Sequence, residues 1–308
     1  MKKIFKSLNV LFIILFTTSS FACNVKYSRS DGNLKILHEK TFHISPGKEL
    51  KLDASVGDVI ITSWDKSEVY VKILGDKKAE EKIEFSFDND ENSVEIIAKK
   101  EGLFNFWSSG INLRFEIKVP SSFNNDIRTS GGDIKLSHVK GNNQLKTSGG
   151  DLHVKNTEGE LNITTSGGDI ILDENKGNIN ASTSGGDVQG KNFLGDLYVS
   201  TSGGNIHLKG SDSKINAETS GGDIVLEYEG KNKGIELSTS GGDIMIKLPS
   251  DFNASAIMST SGGDISCDLT ANNAKKISAT KFEADLNKGG NLLDVRTSGG
   301  DIVVEKTL

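Results

Sequence analysis

The chain is poor in the residues from which most catalytic, metal-binding and nucleic-acid-binding sites are built. Its 308 residues include only two Cys, five His, three Pro and four Arg, and aromatic residues make up 6%. Two cysteines exclude a scaffold stapled by several disulfides and a multi-cysteine metal cluster. Four Arg within a formal net charge of −6 leave no basic footprint for nucleic acid. The histidines do not gather: His38 and His43 lie early, His138 sits near a turn, and His153 and His207 are three repeats apart. No Gly-x-Ser-x-Gly elbow and no phosphate-binding loop occurs.

Long apolar runs are also scarce, and the one at residues 8–16 follows Lys2, Lys3 and Lys6 and precedes a small-residue stretch ending at Ala22. This is the pattern of a secretory signal peptide, 1–22, too short and wrongly flanked to be a stable membrane span. Cleavage after Ala22 leaves Cys23 first, the position at which a bacterial lipoprotein carries its lipid anchor. Ordinary cleavage instead leaves Cys23 free or paired with Cys267, which the alternation below places inside. Loss of three Lys takes the net charge from −6 to −9 (33 basic, 42 acidic). Residues 23–33 are polar enough for a flexible tether.

What the chain has in abundance is Gly, 34 in all, and a repeated phrase. Thr-Ser-Gly-Gly opens at Thr129, Thr147, Thr165, Thr183, Thr201, Thr219, Thr239, Thr260 and Thr297, with steps of 18 five times, then 20, 21 and 37. A short fixed period means a repeat architecture, and the step of 37 reads as two periods with one copy eroded. Apolar residues alternate before the phrase (Ile163, Thr165; Val199, Thr201) and after it (Leu152, Val154; Ile170, Leu172), so each period holds two half-buried strands. The two runs are out of phase, which requires a turn within Ser-Gly-Gly-Asp. The paired glycines are expected to supply positive φ there and to let coils stack closely. Gly141, Gly159, Gly177 and Gly195 mark a second corner. The predicted fold is all-β, a β-solenoid of about 18-residue coils over residues 121–308, with residues 34–308 forming one continuous domain.

Residues 34–120 carry ordinary strand patterns at 34–44, 49–53, 56–62, 68–74, 82–87, 93–98 and 111–119, with a worn copy of the repeat at Gly57-Asp58. They are expected to cap the first coil. Between glycines lies an aromatic loop, Phe104, Phe106 and Trp107, a candidate for touching a membrane or ligand, although loops of this kind more often fold over the open end of a core.

The Asp column is the chemically conspicuous feature: Asp133, Asp151, Asp169, Asp187, Asp223, Asp243 and Asp264, with Asn205 in the same series and Asp301 at its end. Stacked carboxylates repel by roughly 1 kcal/mol per pair in water and more near a protein surface. Backbone N–H bonds from the turn are the cheapest compensation, and Asn205 fits because it accepts the same bond without charge. The sharper alternative is a row of calcium sites, for which one Asp per corner supplies too few oxygens unless coils share.

With the repeat laid out, the chain resembles a bacterial all-β family of adhesins marked by a recurring Gly-Asp dipeptide, over nearly all of the chain after residue 22. The resemblance implies an exported, non-catalytic protein of the cell envelope and carries no catalytic or ligand residues with it. The expected function is therefore a surface scaffold, anchored through lipid at Cys23, that meets a protein or polysaccharide and needs no cofactor. The alternatives are a calcium-binding β-roll and, against the like environments of the Asp residues, a polysaccharide-active enzyme. The strand after Asp301 has no visible cap, so self-association through that edge is a further expectation.

Overall fold

The computed structural model describes residues 34–100 and 110–307. Cys23, the leader, and the aromatic loop with Phe104, Phe106 and Trp107 lie outside the described residues. Within them the chain winds into two facing sheets, one of 13 strands and one of 14. Each repeat contributes one strand to each sheet: Asn143–Lys146 before the corner and Leu152–Lys155 after it, then Leu161–Thr164 and Ile170–Asp173, and so on. Successive coils pair in parallel and in register, Leu145 beside Ile163 and Val154 beside Leu172. The sequence dictates this because every second residue is apolar and a slip of one would turn the whole set outward. The inward columns, Leu145, Ile163, Ala181 and Val199 facing Leu136, Val154, Leu172 and Leu208, are buried to within 1%.

The structure corrects the expected corner chemistry. The Ser-Gly-Gly-Asp glycines do not take positive φ; that conformation belongs to the second corner, at Gly141, Gly159, Gly177 and Gly195 and at a further column of His138, Asn156, Glu174 and Asn192. The second corner is thus two bends, with a one-residue parallel bridge between them through Lys140, Glu158 and Lys176. In Ser-Gly-Gly-Asp the requirement is space. A Cβ on Gly150 would overlap the carbonyl oxygen of Gly132 one coil away, whereas Gly149 has nothing within 4 Å.

Two expectations about the ends fail. The 37-residue step holds no eroded coil. After the coil of Ala254–Ser259 and Ile265–Cys267, the chain makes an antiparallel excursion, Ala271–Ile277 and Lys281–Leu286, on the edge of one sheet. It then returns, and its last coil, Leu292–Arg296 and Ile302–Lys306, slides between the coil of Thr239 and that of Thr260. The strand after Asp301 is therefore paired on both sides and is not an open edge, which removes the ground for self-association there. The geometry permits it because a Thr-Ser-Gly-Gly-Asp coil offers the same contacts above and below.

The beginning mirrors the end. The coil Glu49–Ala54 and Asp58–Trp64 lies between the coil of Asn124–Thr129 and that of Ser93–Lys100 and Leu113–Pro120. Antiparallel strands then close the edges: Ile83–Asn89 on one sheet, Glu68–Gly75 and Lys35–His43 on the other. His38 and Phe42 meet Phe85 and Phe87 across this end, with His38 and Phe85 ring centroids 4.8 Å apart. The stretch expected as strand from residue 82 is preceded by an unexpected helix, Lys77–Lys82, whose N-cap Asp76 accepts the Ala79 N–H at 2.8 Å.

Candidate functional site: the repeated corner and the outer faces

The corner is a hydrogen-bond lattice running the length of the stack. Each Thr hydroxyl donates to a glycine carbonyl of the neighbouring coil, Thr147 Oγ1 to Gly132 O at 2.9 Å, and from Thr147 onwards each also accepts from its own turn, as Thr147 does from Gly150 N at 3.4 Å. Each Asp Oδ1 accepts the backbone N–H of the next Asp, as Asp133 does from Asp151 at 2.9 Å and Asp151 from Asp169 at 2.9 Å. The donor is therefore the neighbouring coil and not the residue's own turn as expected. Asn205 takes its place without a break, donating its N–H to Asp187 and accepting that of Asp223. The worn copy joins too, since Asp58 accepts from Asp133, and so does the threaded coil, with Asp243 accepting from Asp301 and Asp301 from Asp264.

Charge-assisted bonds of this kind offset the repulsion between stacked carboxylates. They also use one oxygen of each acceptor, Asp264 at the end of the series being a donor only. The seven Asp residues singled out in the sequence thus stand as a row of single carboxylates, and no group of three or more His, Cys, Asp or Glu side chains converges among the described residues.

The outer faces differ from each other. On the sheet that follows the corner, each of two acids in one column sits between two lysines: Lys155 and Lys191 flank Asp173, and Lys209 and Lys247 flank Glu227. Burial raises the Glu227 pKa, but the two lysines outweigh it and hold the carboxyl below its usual range. His153 on this face is half-buried, and burial, aided by Lys135, lowers its pKa below 6.5 against the pull of Asp151, Asp133 and Asp169. Cys267 lies on the end strand as a free thiol, pushed up by burial.

The sheet that precedes the corner carries a groove. Two adjoining hollows of about 510 and 440 Å³ share Glu160 and Asn162 and are lined mostly by amides and carboxylates, with Tyr198 among them. Sequence reading missed it because it followed the outward column of the other sheet. The available signal was the run Gln144, Asn162, Asn180 at 18-residue steps, with Tyr198 next.

The Gly-Asp coils and the sheets they build match the Toastrack DUF4097 family over residues 47–305. The chain belongs to that family. A search of curated proteins finds no match. Among solved structures, this Toastrack chain is similar to a putative adhesin from Parabacteroides merdae, at 13% identity and a TM-score of 0.46, covering 90% of this chain and 98% of that one. It is also similar to a putative adhesin from Bacteroides fragilis, at 14% identity and a TM-score of 0.36 over 90% and 98%. A putative cell adhesion protein from Clostridium sporogenes aligns at 13% and 0.27 over 89% and 100%. None of these likenesses carries a ligand or a partner across to this chain.

Proposed function

We propose that this Toastrack protein is a non-catalytic, adhesin-like binding scaffold of the cell envelope, exported by its leader and held at a membrane by lipid on Cys23. The observation that carries the reading is the corner lattice. Nine successive side-chain-to-N–H bonds, eight accepted by Asp and one by Asn205, run from Asp58 through Asp264 and give the repeated polar residues a structural partner, so the repeat serves rigidity and leaves binding to the long outer faces. Acid–base catalysis asks for two groups in contrasting environments, and the column offers one environment repeated. Solved structures with adhesion in their names support an envelope setting.

The test is fractionation of cells making the full chain, with mass spectrometry of residue 23. Processed protein in the membrane fraction with a lipid mass on Cys23, released as soluble exported protein by Cys23→Ser, is the expected result. Unprocessed protein retained in the cytoplasm would sink the reading.

A further inference from the structure

The groove is built on one side chain per coil. Asp126, Gln144, Asn162, Asn180, Tyr198 and Asn216 stand in strict register on the outer face, each the lateral neighbour of the last. The hollows extend from the strand Glu49–Ala54 to the strand Ile235–Ser238, eight consecutive strands of the sheet. At roughly 4.8 Å per strand that is about 34 Å of continuous track.

We propose that this track binds one extended chain of a neutral polysaccharide, laid along the stack so that successive sugars meet successive coils. The proposal rests on the binding-scaffold reading above and names its ligand class. Several features of the track point to it. The column is dominated by amides, which offer a donor and an acceptor together and so match neighbouring sugar hydroxyls that do the same. These amides do not satisfy one another: Asn162 turns to Glu160 at 3.0 Å and Asn216 to Glu236 at 3.4 Å. Asp126 Oδ1 and Asn216 Oδ1, at the two ends of the column, have no donor among the described residues. Unmet buried acceptors are costly, and a hydroxyl reached by rotation of the terminal group supplies what is missing.

Tyr198, 41% exposed in the column, presents an amphipathic ring against which the apolar face of a pyranose stacks. The coil step is close to the length of one hexopyranose unit, so a regular polymer stays in phase with the amides over several coils. Glu160, Asp196 and Glu236 line the second hollow with Lys214 as its one base, which disfavours an acidic polymer. A peptide strand is the less suitable occupant, because strand addition needs free backbone at a sheet edge and this track lies on a face.

Titration calorimetry on the exported full chain, with neutral hexasaccharides of β-1,4-glucan, β-1,4-N-acetylglucosamine and α-mannan, and with hexagalacturonate as the acidic contrast, tests the proposal. At least one neutral hexamer is expected to bind, more tightly than its disaccharide, and Tyr198→Ala and Asn180→Ala to weaken it about tenfold or more. His207→Ala, exposed on the opposite sheet, serves as the control and leaves binding unchanged. Equal melting temperatures for the three variants keep loss of binding distinct from loss of fold. No neutral hexamer bound at millimolar concentration, preference for the acidic one, or binding that survives both groove substitutions would overturn it. Such failure in a protein that still reaches the envelope removes the glycan reading alone, whereas an unprocessed cytoplasmic chain removes the scaffold reading.

Discussion

At the scale of the residue, the two glycines of each corner have unlike duties although they are adjacent in sequence. Gly150 faces the Gly132 carbonyl, and Gly149 faces open space. Gly150→Ala is therefore expected to lower stability at or beyond the upper end of the roughly 1–3 kcal/mol typical of overpacking, because the obstacle is backbone in a stacked lattice. Gly149→Ala should stay within about 0.5 kcal/mol. Parallel chemical denaturation curves check both, and equal midpoints would contradict the stacking argument. His153 makes a second prediction. Its folded pKa lies below 6.5 through burial and Lys135, so as pH falls the unfolded chain takes up a proton that the folded one resists. That contribution is complete above pH 6.5 and is lost below it, towards the lowered folded value. His38, lowered by burial and Lys40, acts in the same direction. Melting temperature followed from about pH 7.5 to 5 should fall more for the wild type than for His153→Gln, and identical profiles would rule the contribution out.

At the scale of the element, chain order and spatial order part company at both ends. Strand Ile302–Lys306 is the last strand of the described chain yet has Ile244–Leu248 on one side and Ile265–Cys267 on the other. Its amides are expected to exchange with solvent as slowly as those of Ile224–Glu229, and more slowly than those of the three-residue edge strand. A mass-spectrometric exchange series in which residues 302–306 exchange first would refute the threaded placement. The coil itself was legible because period, phase change and inward Thr are local, and any half-buried strand shows them as alternation. The threading was not, since a step of 37 between Thr260 and Thr297 has the same appearance whether a coil has decayed or the chain has left and returned. The one hint was the stretch 271–276, Ala-Asn-Asn-Ala-Lys-Lys, which lacks a buried alternation and lies exposed on the edge. Polar, lysine-bearing edge strands of this kind discourage pairing with another molecule. The helix at Lys77–Lys82 escaped notice because six residues hold too little periodicity, although Asp76 three residues before Ala79 was the cap that starts it. Of the candidate site, the Asp ladder was visible as a column. The amide groove was not, since it depends on which outward column curves into a hollow.

At the scale of the whole molecule, threading changes what the last coil is worth. In a simple solenoid each repeat touches its neighbours only, so removing the terminal one forfeits a single interface. Here the coil of Leu292–Arg296 and Ile302–Lys306 lies between two others, and deleting residues 292–308 forfeits both of its interfaces while leaving the coils of Thr239 and Thr260 separated by an empty layer. Leu293, Val295, Ile302 and Val304 are all buried to within 1%, each contributing about 1.5–3 kcal/mol by leaving water. Gly242 also loses the hydroxyl bond from Thr297, and Thr260 loses the one it donates to Gly300. The truncated chain should therefore lose far more stability than the substitution of any single corner residue, and residues 254–286 should become protease-sensitive together. A deletion that lowers the melting temperature no more than Gly150→Ala would show that the Thr260 coil can move down and dock directly on the Thr239 coil. Because every corner presents the same Thr, Gly and Asp contacts, that outcome would make the threaded coil an optional layer and the lattice itself the unit of stability.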